Sequence, residues 1–300
     1  MNKTIRQTVF PLLAAMIWGG AFAFQSISTG YVGPLTFTCA RAVIAALSLT
    51  AVIAVLRAVR RQPSAVRPAS ERSALVRGGL CCGAVMSVAA TLQQAGLADT
   101  SAGKTAFITA LYIVIVPIAG IVFGRRLPLT VWIGVALAVA GLYFLCIRSS
   151  LSLSRSDGVV LLSAFCFAAH ILTVDHFVAS CDPIELSCLQ FVTEAVLCGI
   201  GALLFENPSF AALRLCAGSL LYVGVFSSAV AFTLQIVAQK GTDPTIVSIL
   251  LGLESLFGAV FGALLLHESL SSRELFGGAL MLAATVFSQL PDRRPRLQKI

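Results

Sequence analysis

Residues 104–124 read KTAFITALYIVIVPIAGIVFG, and after Lys104 no charged side chain occurs before Arg125. As a helix, a run of this length reaches across a hydrocarbon core of about 30 Å. Working outward, apolar runs of similar length recur along the chain, separated by short polar or charged breaks. They fall near 8–28, 34–56, 78–98, 104–124, 127–147, 157–177, 183–205, 213–237, 244–266 and 274–291. Backbone groups in lipid must be satisfied within the segment or in a closed barrel, and these runs are about twice the length of a barrel strand, so helices are expected. Pro34, Pro183 and Pro244 fall in the first turn of a run, where a missing amide proton does no harm.

Composition agrees. Of 300 residues, 58% are apolar and 11% charged, against about 25% charged in soluble domains. The net charge of +8 lies in the breaks and not on one face with interleaved aromatics, so nucleic acid is not an expected partner. Lys3 and Arg6 before the first run imitate a signal peptide, but the run exceeds the usual signal length and has a counterpart later in the chain, so it reads as mature structure. The nine cysteines lie mostly within apolar runs, and no pair of CxxC motifs occurs, so neither a disulfide framework nor a metal site is expected.

Basic residues set the direction. With both termini cytoplasmic, 15 Lys and Arg side chains fall inside and five outside (Lys104, Arg148, Arg155, Arg214, Arg273), with Arg41 left within a run. The stretch 57–77, rich in Arg, Pro and Ser, reads as a cytoplasmic linker.

The chain also resembles itself. A shift of 149 places Leu12, Leu13, Ala15, Pro34 and Cys39 on Leu161, Leu162, Ala164, Pro183 and Cys188. A shift of 142 places Thr91, Leu92, Gln93 and Thr100 on Thr233, Leu234, Gln235 and Thr242, and a shift of 143 places Leu127, Gly134, Leu137 and Ala140 on Leu270, Gly277, Leu280 and Ala283. Five spans is an odd number, so the copies face opposite ways, and Arg125-Arg126 gives way to His267-Glu268 as the positive-inside rule requires. The expected architecture is an all-α membrane protein of ten transmembrane helices, in two inverted five-helix repeats (1–148 and 149–300) around a central cavity.

Trp18-Gly19, Arg41, the run Thr91 to Leu97 leading to Thr100 and Ala102, Phe107 onward to Pro117, Leu253-Glu254, Leu266 to Leu270, and Gly277 together resemble an EamA-type member of the drug/metabolite transporter superfamily. The resemblance covers nearly the whole chain. It implies a secondary transporter in the cell inner membrane, exporting amino acids or related metabolites, with import of nucleotide-, sugar- or cofactor-like solutes as the alternative. Two departures stand out. Ser255 replaces a proline that often follows the span-nine glutamate, and Gly124-Arg125-Arg126 replaces an acidic residue at the end of span four.

Ionisable groups inside spans should face a partner or a water-filled cavity. Glu254, in span nine, is a candidate cation binder or proton-coupled carboxylate, against a structural hydrogen bond. Glu194 suits structural pairing; Arg41 suits packing, snorkelling or an anion-facing role. Asp175 at the inner end of span six reads as solvent-exposed, while His170, deeper in that span, is either a cavity residue or a satisfied packing histidine. Gln93 and Gln235 are repeat-equivalent and offer donor and acceptor to a polar substrate or to neighbouring helices. Trp18 and Tyr112 can supply aromatic cavity wall, whereas Phe22 and Phe167 read as packing. Gly120 with Gly124, and Gly258 with Gly262, form small-residue stripes suited to close helix contact.

The substrate-binding set is therefore Trp18, Gln93, Tyr112, His170, Gln235 and Glu254, with Arg41, Glu194 and Asp175 structural or coupling. The expected partners are a small-molecule substrate, the bilayer and protons, in a monomer or homodimer without cofactor. A membrane enzyme would need a catalytic constellation, and no HExxH helix, serine elbow or Walker loop occurs. A scaffold would want a soluble recognition domain, which the spacing of the runs leaves no room for.

Overall fold

The computed structural model describes residues 5–60, 68–122, 124–125, 127–147, 154–266 and 271–290. Among the described residues every regular element is helical. After a π-helical turn at Ile5–Val9 come α1 (Phe10–Ser28), α2 (Pro34–Arg60), α3 (Ala69–Leu97), α4 (Ala102–Thr109), α5 (Tyr112–Val122), α6 (Leu129–Cys146), α7 (Arg155–Val178) and α8 (Pro183–Phe205). Next are the short α9 (Phe210–Leu215) and α10 (Ala217–Leu221), a π-helical run Tyr222–Phe232, then α11 (Thr233–Gln239), α12 (Pro244–Leu251), α13 (Glu254–Leu266) and α14 (Ser272–Gln289). Nine described stretches are long and apolar enough to cross a membrane, from Arg6–Ser28 to Pro244–Phe261. The chain is a multi-pass helical membrane protein. The 18-residue α14, with Arg273 and Glu274 in its first turn, is not among the nine.

Pro183 and Pro244 occupy the first turns of α8 and α12, each behind an aspartate cap: Asp182 accepts from the amides of Ile184 and Glu185, and Asp243 from Thr245. The 57–77 stretch departs from its reading as a linker. α2 runs on to Arg60 and α3 begins at Ala69, because Arg and Ser side chains let a helix continue beyond the apolar limit; residues 61–67 lie outside the described residues. Lys3, Arg61, Arg67, Arg126, Arg148, His267, Glu268 and the basic residues from Arg293 onward lie outside the described residues.

The fourth and ninth apolar runs are each broken in two. Between α4 and α5 the chain makes a tight turn in which Ile113 N–H donates to Ala110 C=O at 3.0 Å, and between α12 and α13 Ser255 N–H donates to Gly252 C=O at 3.4 Å. No proline sits at either break, so Ser255 in place of proline does not remove the interruption. A Cβ on Gly252 would approach Ile113 Cγ2 to 3.1 Å, so the glycine lets the two interruptions pack against each other. α5 packs against α12, and α4 against α13.

Helix bounds in the second half follow those of the first at the offsets read from sequence: Ala102–Thr109 and Pro244–Leu251, the starts Tyr112 and Glu254, and Leu129–Cys146 and Ser272–Gln289. Contacts between the halves come in reciprocal pairs. Cys39 Sγ donates to Ala195 C=O at 3.4 Å, and Cys188 Sγ to Ala46 C=O at 3.8 Å, where α2 packs on α8. At opposite ends of the same seam, Arg57 meets Glu185 at 3.0 Å, and Glu206 accepts from the amides of Leu35 and Thr36 at 2.9 and 2.8 Å. Where α6 packs on α14, Gly141 lies against Gly277 and Gly134 against Ala284.

Polar contacts collect in two layers at the helix ends. One holds Arg57–Glu185, Arg125–Asp175 and, at 3.8 Å, Arg125–Asp243. The other holds Lys104–Asp157 at 2.6 Å, Ser156–Asp99 at 3.2 Å and the Glu206 cap. Gly124, with φ of 79°, ends α5 in the left-handed region that glycine enters without strain and so turns Arg125 toward Asp175. Asp175 is therefore an ion-paired, largely buried residue, not the freely solvated one expected, because a helix end in a packed bundle also faces its neighbours.

Candidate functional site

Midway along the bundle the helices enclose a cavity of about 40 Å³, bordered by α1, α2, α3, α4, α5, α7, the π-helical run, α11, α12 and α13. All six residues expected to bind substrate border it: Trp18, Gln93, Tyr112, His170, Gln235 and Glu254. Phe22 and Phe167, expected to serve packing, border it too, as does Arg41. Glu194 lies behind Arg41, and Asp175 stands at the helix ends, away from the cavity.

Each wall is set by local structure. Tyr112 and Glu254 are the first residues after the two helix breaks, and Tyr112 Oη donates to Glu254 Oε1 at 3.2 Å. A helix start leaves backbone N–H groups unsatisfied within its own helix, and an acidic side chain is favoured there. That places a carboxylate at mid-bundle where an unbroken helix would have offered only a lateral position. The hydrogen bond to Tyr112 uses one of its oxygens; Oε2 has no hydrogen-bond partner among the described residues.

The glutamines are held by different means. Gln93 Nε2 donates to Thr109 Oγ1 at 3.2 Å, and Gln235 Nε2 donates to Gln239 Oε1 at 3.0 Å, itself fixed by a bond to Ile171 C=O at 2.8 Å. In both, the amide nitrogen is engaged while the carbonyl oxygen accepts nothing from the described chain. His170 Nε2 lies 3.0 Å from Gln190 Oε1; with the imidazole donating to that oxygen, Nδ1 is left as an acceptor. The two readings of His170 thus merge: it is a satisfied packing residue that also borders the cavity.

Trp18 forms an aromatic wall with Phe232, their ring centroids 4.6 Å apart. Its indole Nε1 donates at 3.0 Å to Ser227 C=O, inside the π-helical run. Side chains beyond such a run take a different bearing from those of a plain α-helix, and Phe232 and Gln235 lie at its end and just after it. Arg41 and Glu194 form a buried ion pair, Nη2 to Oε1 at 3.1 Å, in keeping with the structural pairing expected of Glu194.

The arrangement matches a small-molecule chamber: mostly apolar and aromatic walls with a few convergent polar groups. A cavity of about 40 Å³ has room for roughly three waters at the 10–15 Å³ each requires. A metabolite would need it to widen, so a change of helix arrangement belongs to any use of this site.

Family comparison meets this geometry from a separate direction. The model of the EamA-like transporter family matches residues 8–147 and again residues 155–289. The chain belongs to the EamA-like transporter family. An uncharacterized transporter from Archaeoglobus fulgidus is 27% identical over 279 residues, covering 93% of this chain and 84% of the relative. The threonine/homoserine exporter RhtA of Salmonella typhimurium is 27% identical over 189 residues, covering 61% of this chain and 63% of that exporter, so the match leaves over a third of the exporter unaligned. One solved crystal structure superposes with a TM-score of 0.74 over 96% of this chain and 97% of its own, at 16% identity, a likeness of fold alone.

For this EamA-like chain, sequence reasoning placed Arg41 outside the substrate set and did not connect Tyr112 with Glu254. The signal was present: the shift of 142 that aligns Gln93 with Gln235 also aligns Tyr112 with Glu254. For Arg41, the shift of 149 sets it opposite Gln190, the partner of the cavity residue His170.

Proposed function

We propose that this protein is a secondary transporter working by alternating access, and that it exports amino acids or related small metabolites across the cell inner membrane. Ten spans, with α14 as the tenth, form two inverted five-helix repeats, 1–148 and 149–300, with both termini cytoplasmic. The reciprocal contacts support this reading: Cys39 with Ala195 and Cys188 with Ala46 are the two halves of one relation about a dyad in the membrane plane. The observation that carries the function is the cavity beside the two broken spans, where Tyr112 and Glu254 are hydrogen-bonded to each other.

Trp18 and Tyr112 supply aromatic surface, Gln93 and Gln235 offer carbonyl oxygens from opposite walls, His170 offers an acceptor, and Glu254 receives a cation or a proton. Arg125–Asp175 and Lys104–Asp157 join the halves in opposite polar layers. Exposing the cavity to one side then requires loosening one pair while the other holds, a two-state element of the kind alternating access needs. The amino-acid assignment draws on the likeness to the threonine/homoserine exporter.

Purified protein in proteoliposomes loaded with unlabelled amino acids is expected to accumulate the labelled counterpart by exchange, and a variant of the cavity wall, Gln93→Leu with Gln235→Leu, to lose it. Exchange indistinguishable from empty liposomes for all amino acids refutes the amino-acid reading. Absence of flux for sugars, nucleotides and organic acids as well refutes transport altogether.

A further inference from the structure

The Arg41–Glu194 pair is made in an unusual way for two buried charges. Arg41 is 4% exposed and Glu194 0%, yet only Nη2 and Oε1 touch; Arg41 Nε and Glu194 Oε2 are both enclosed with no hydrogen-bond partner among the described residues. A guanidinium presents five N–H donors in a planar fork, and two parallel bonds to a carboxylate are its strongest arrangement. An arginine retained only to neutralise Glu194 would be expected to use that arrangement, because each enclosed orphan donor or acceptor carries a desolvation penalty. Arg41 instead leaves most of its fork free and borders the cavity. In that cavity Glu254, also 4% exposed, keeps one carboxylate oxygen without a hydrogen bond from the described residues.

We infer that Arg41 is the carboxylate-binding pole of the site and Glu254 its ammonium-binding pole, so that the cargo is recognised as a zwitterion. The inference rests on the amino-acid reading above and adds to it which group reads which end. Glu194 holds the guanidinium from behind and balances its charge, leaving the other edge of the fork for the substrate's two carboxylate oxygens. Glu254, steadied through Oε1 by Tyr112, accepts from the ammonium. A molecule lacking either charge leaves one pole desolvated and unmatched, and sites built around a charged hydrogen bond reject analogues that lack it.

The test uses proteoliposomes and the amino acid that wild-type protein exchanges fastest in a panel of all twenty, together with its decarboxylated amine and its deaminated acid. For L-threonine these are 1-amino-2-propanol and 3-hydroxybutyrate. The amino acid is expected to compete for exchange about 10- to 100-fold better than either analogue, the range set by one charged hydrogen-bonding group. R41Q/E194Q removes both buried charges together, so no lone charge remains. In it the preference over the amine should fall to within about threefold, while the preference over the deaminated acid, held by Glu254, persists. Should that variant not fold, Arg41→Lys keeps the charge and loses the fork, and the same preference should drop by about tenfold. Equal competition by amine and amino acid in wild type, or an unchanged ratio in the folded variants, overturns the inference and leaves amino-acid transport standing. No exchange of any amino acid refutes both.

Discussion

Gly19 on α1 lies against the start of α13, and replacing it with alanine tests whether that contact sets the cavity. An added Cβ would come within 2.6 Å of Gly258 N, 2.7 Å of Glu254 C=O and 2.7 Å of Phe257 Cβ. Two of these are backbone atoms, which cannot swing aside as a side-chain tip can. Restoring ordinary contact at 3.4 Å requires α1 and α13 to part by about 0.8 Å. The strain is that of overpacking, about 1–3 kcal/mol. The displaced helices carry Trp18 and Glu254, so cavity geometry should change along with stability. Gly258→Ala, whose Cβ would meet Gly19 C=O only at 3.3 Å, should be milder; Gly158→Ala, on α7 with nothing within 4 Å, should be neutral or gain up to about 1 kcal/mol from helix propensity. Thermal unfolding in detergent, followed by intrinsic fluorescence, gives the order of stability, and counterflow in proteoliposomes gives activity. If Gly19→Ala is as stable and active as wild type, or Gly158→Ala is the more damaged, the close α1–α13 contact does not govern the site.

Glu254→Gln keeps an oxygen for the Tyr112 hydroxyl, so the protein should fold, but it removes the group that can take up a proton or an ammonium; transport should be lost or lose its dependence on pH. A transport-versus-pH profile matching wild type would make Glu254 a scaffold residue. Glu194→Ala leaves the Arg41 charge enclosed without its partner and should destabilise by about 3–5 kcal/mol, with much of the loss recovered by adding Arg41→Gln; additive losses in the double-mutant cycle would show that the pair is not coupled.

Helix content and the membrane class were legible because they depend on apolar run length, which lipid enforces directly. Helix starts at Pro183 and Pro244 were legible because proline acts locally. The breaks were not. Nothing in Ala110-Leu111 marks an interruption; what the structure shows beside it is a tertiary contact, Ile113 packed close against Gly252 of another span. The π-helical run, likewise, has no local signature in YVGVFSSAVAF. The ends of α2 and α3 were misjudged for the opposite reason: hydropathy locates the lipid boundary, whereas helices continue past it wherever propensity allows. In the site, all six expected residues meet one cavity, but which partner each would choose depended on packing between halves, as with Asp175 and Arg125.

The distance in sequence between Arg41 and Glu194, 153 residues, bears on how the chain is made. Each is a charge deep within its own apolar segment, where such a group opposes insertion by about 2.5–3.5 kcal/mol. At about 5–20 residues per second, roughly 8 to 30 s pass between the addition of the arginine and that of the glutamate. For that interval α2 must shelter its guanidinium near the headgroups, against the insertion machinery or beside water, so final seating of an early helix awaits the birth of a late one.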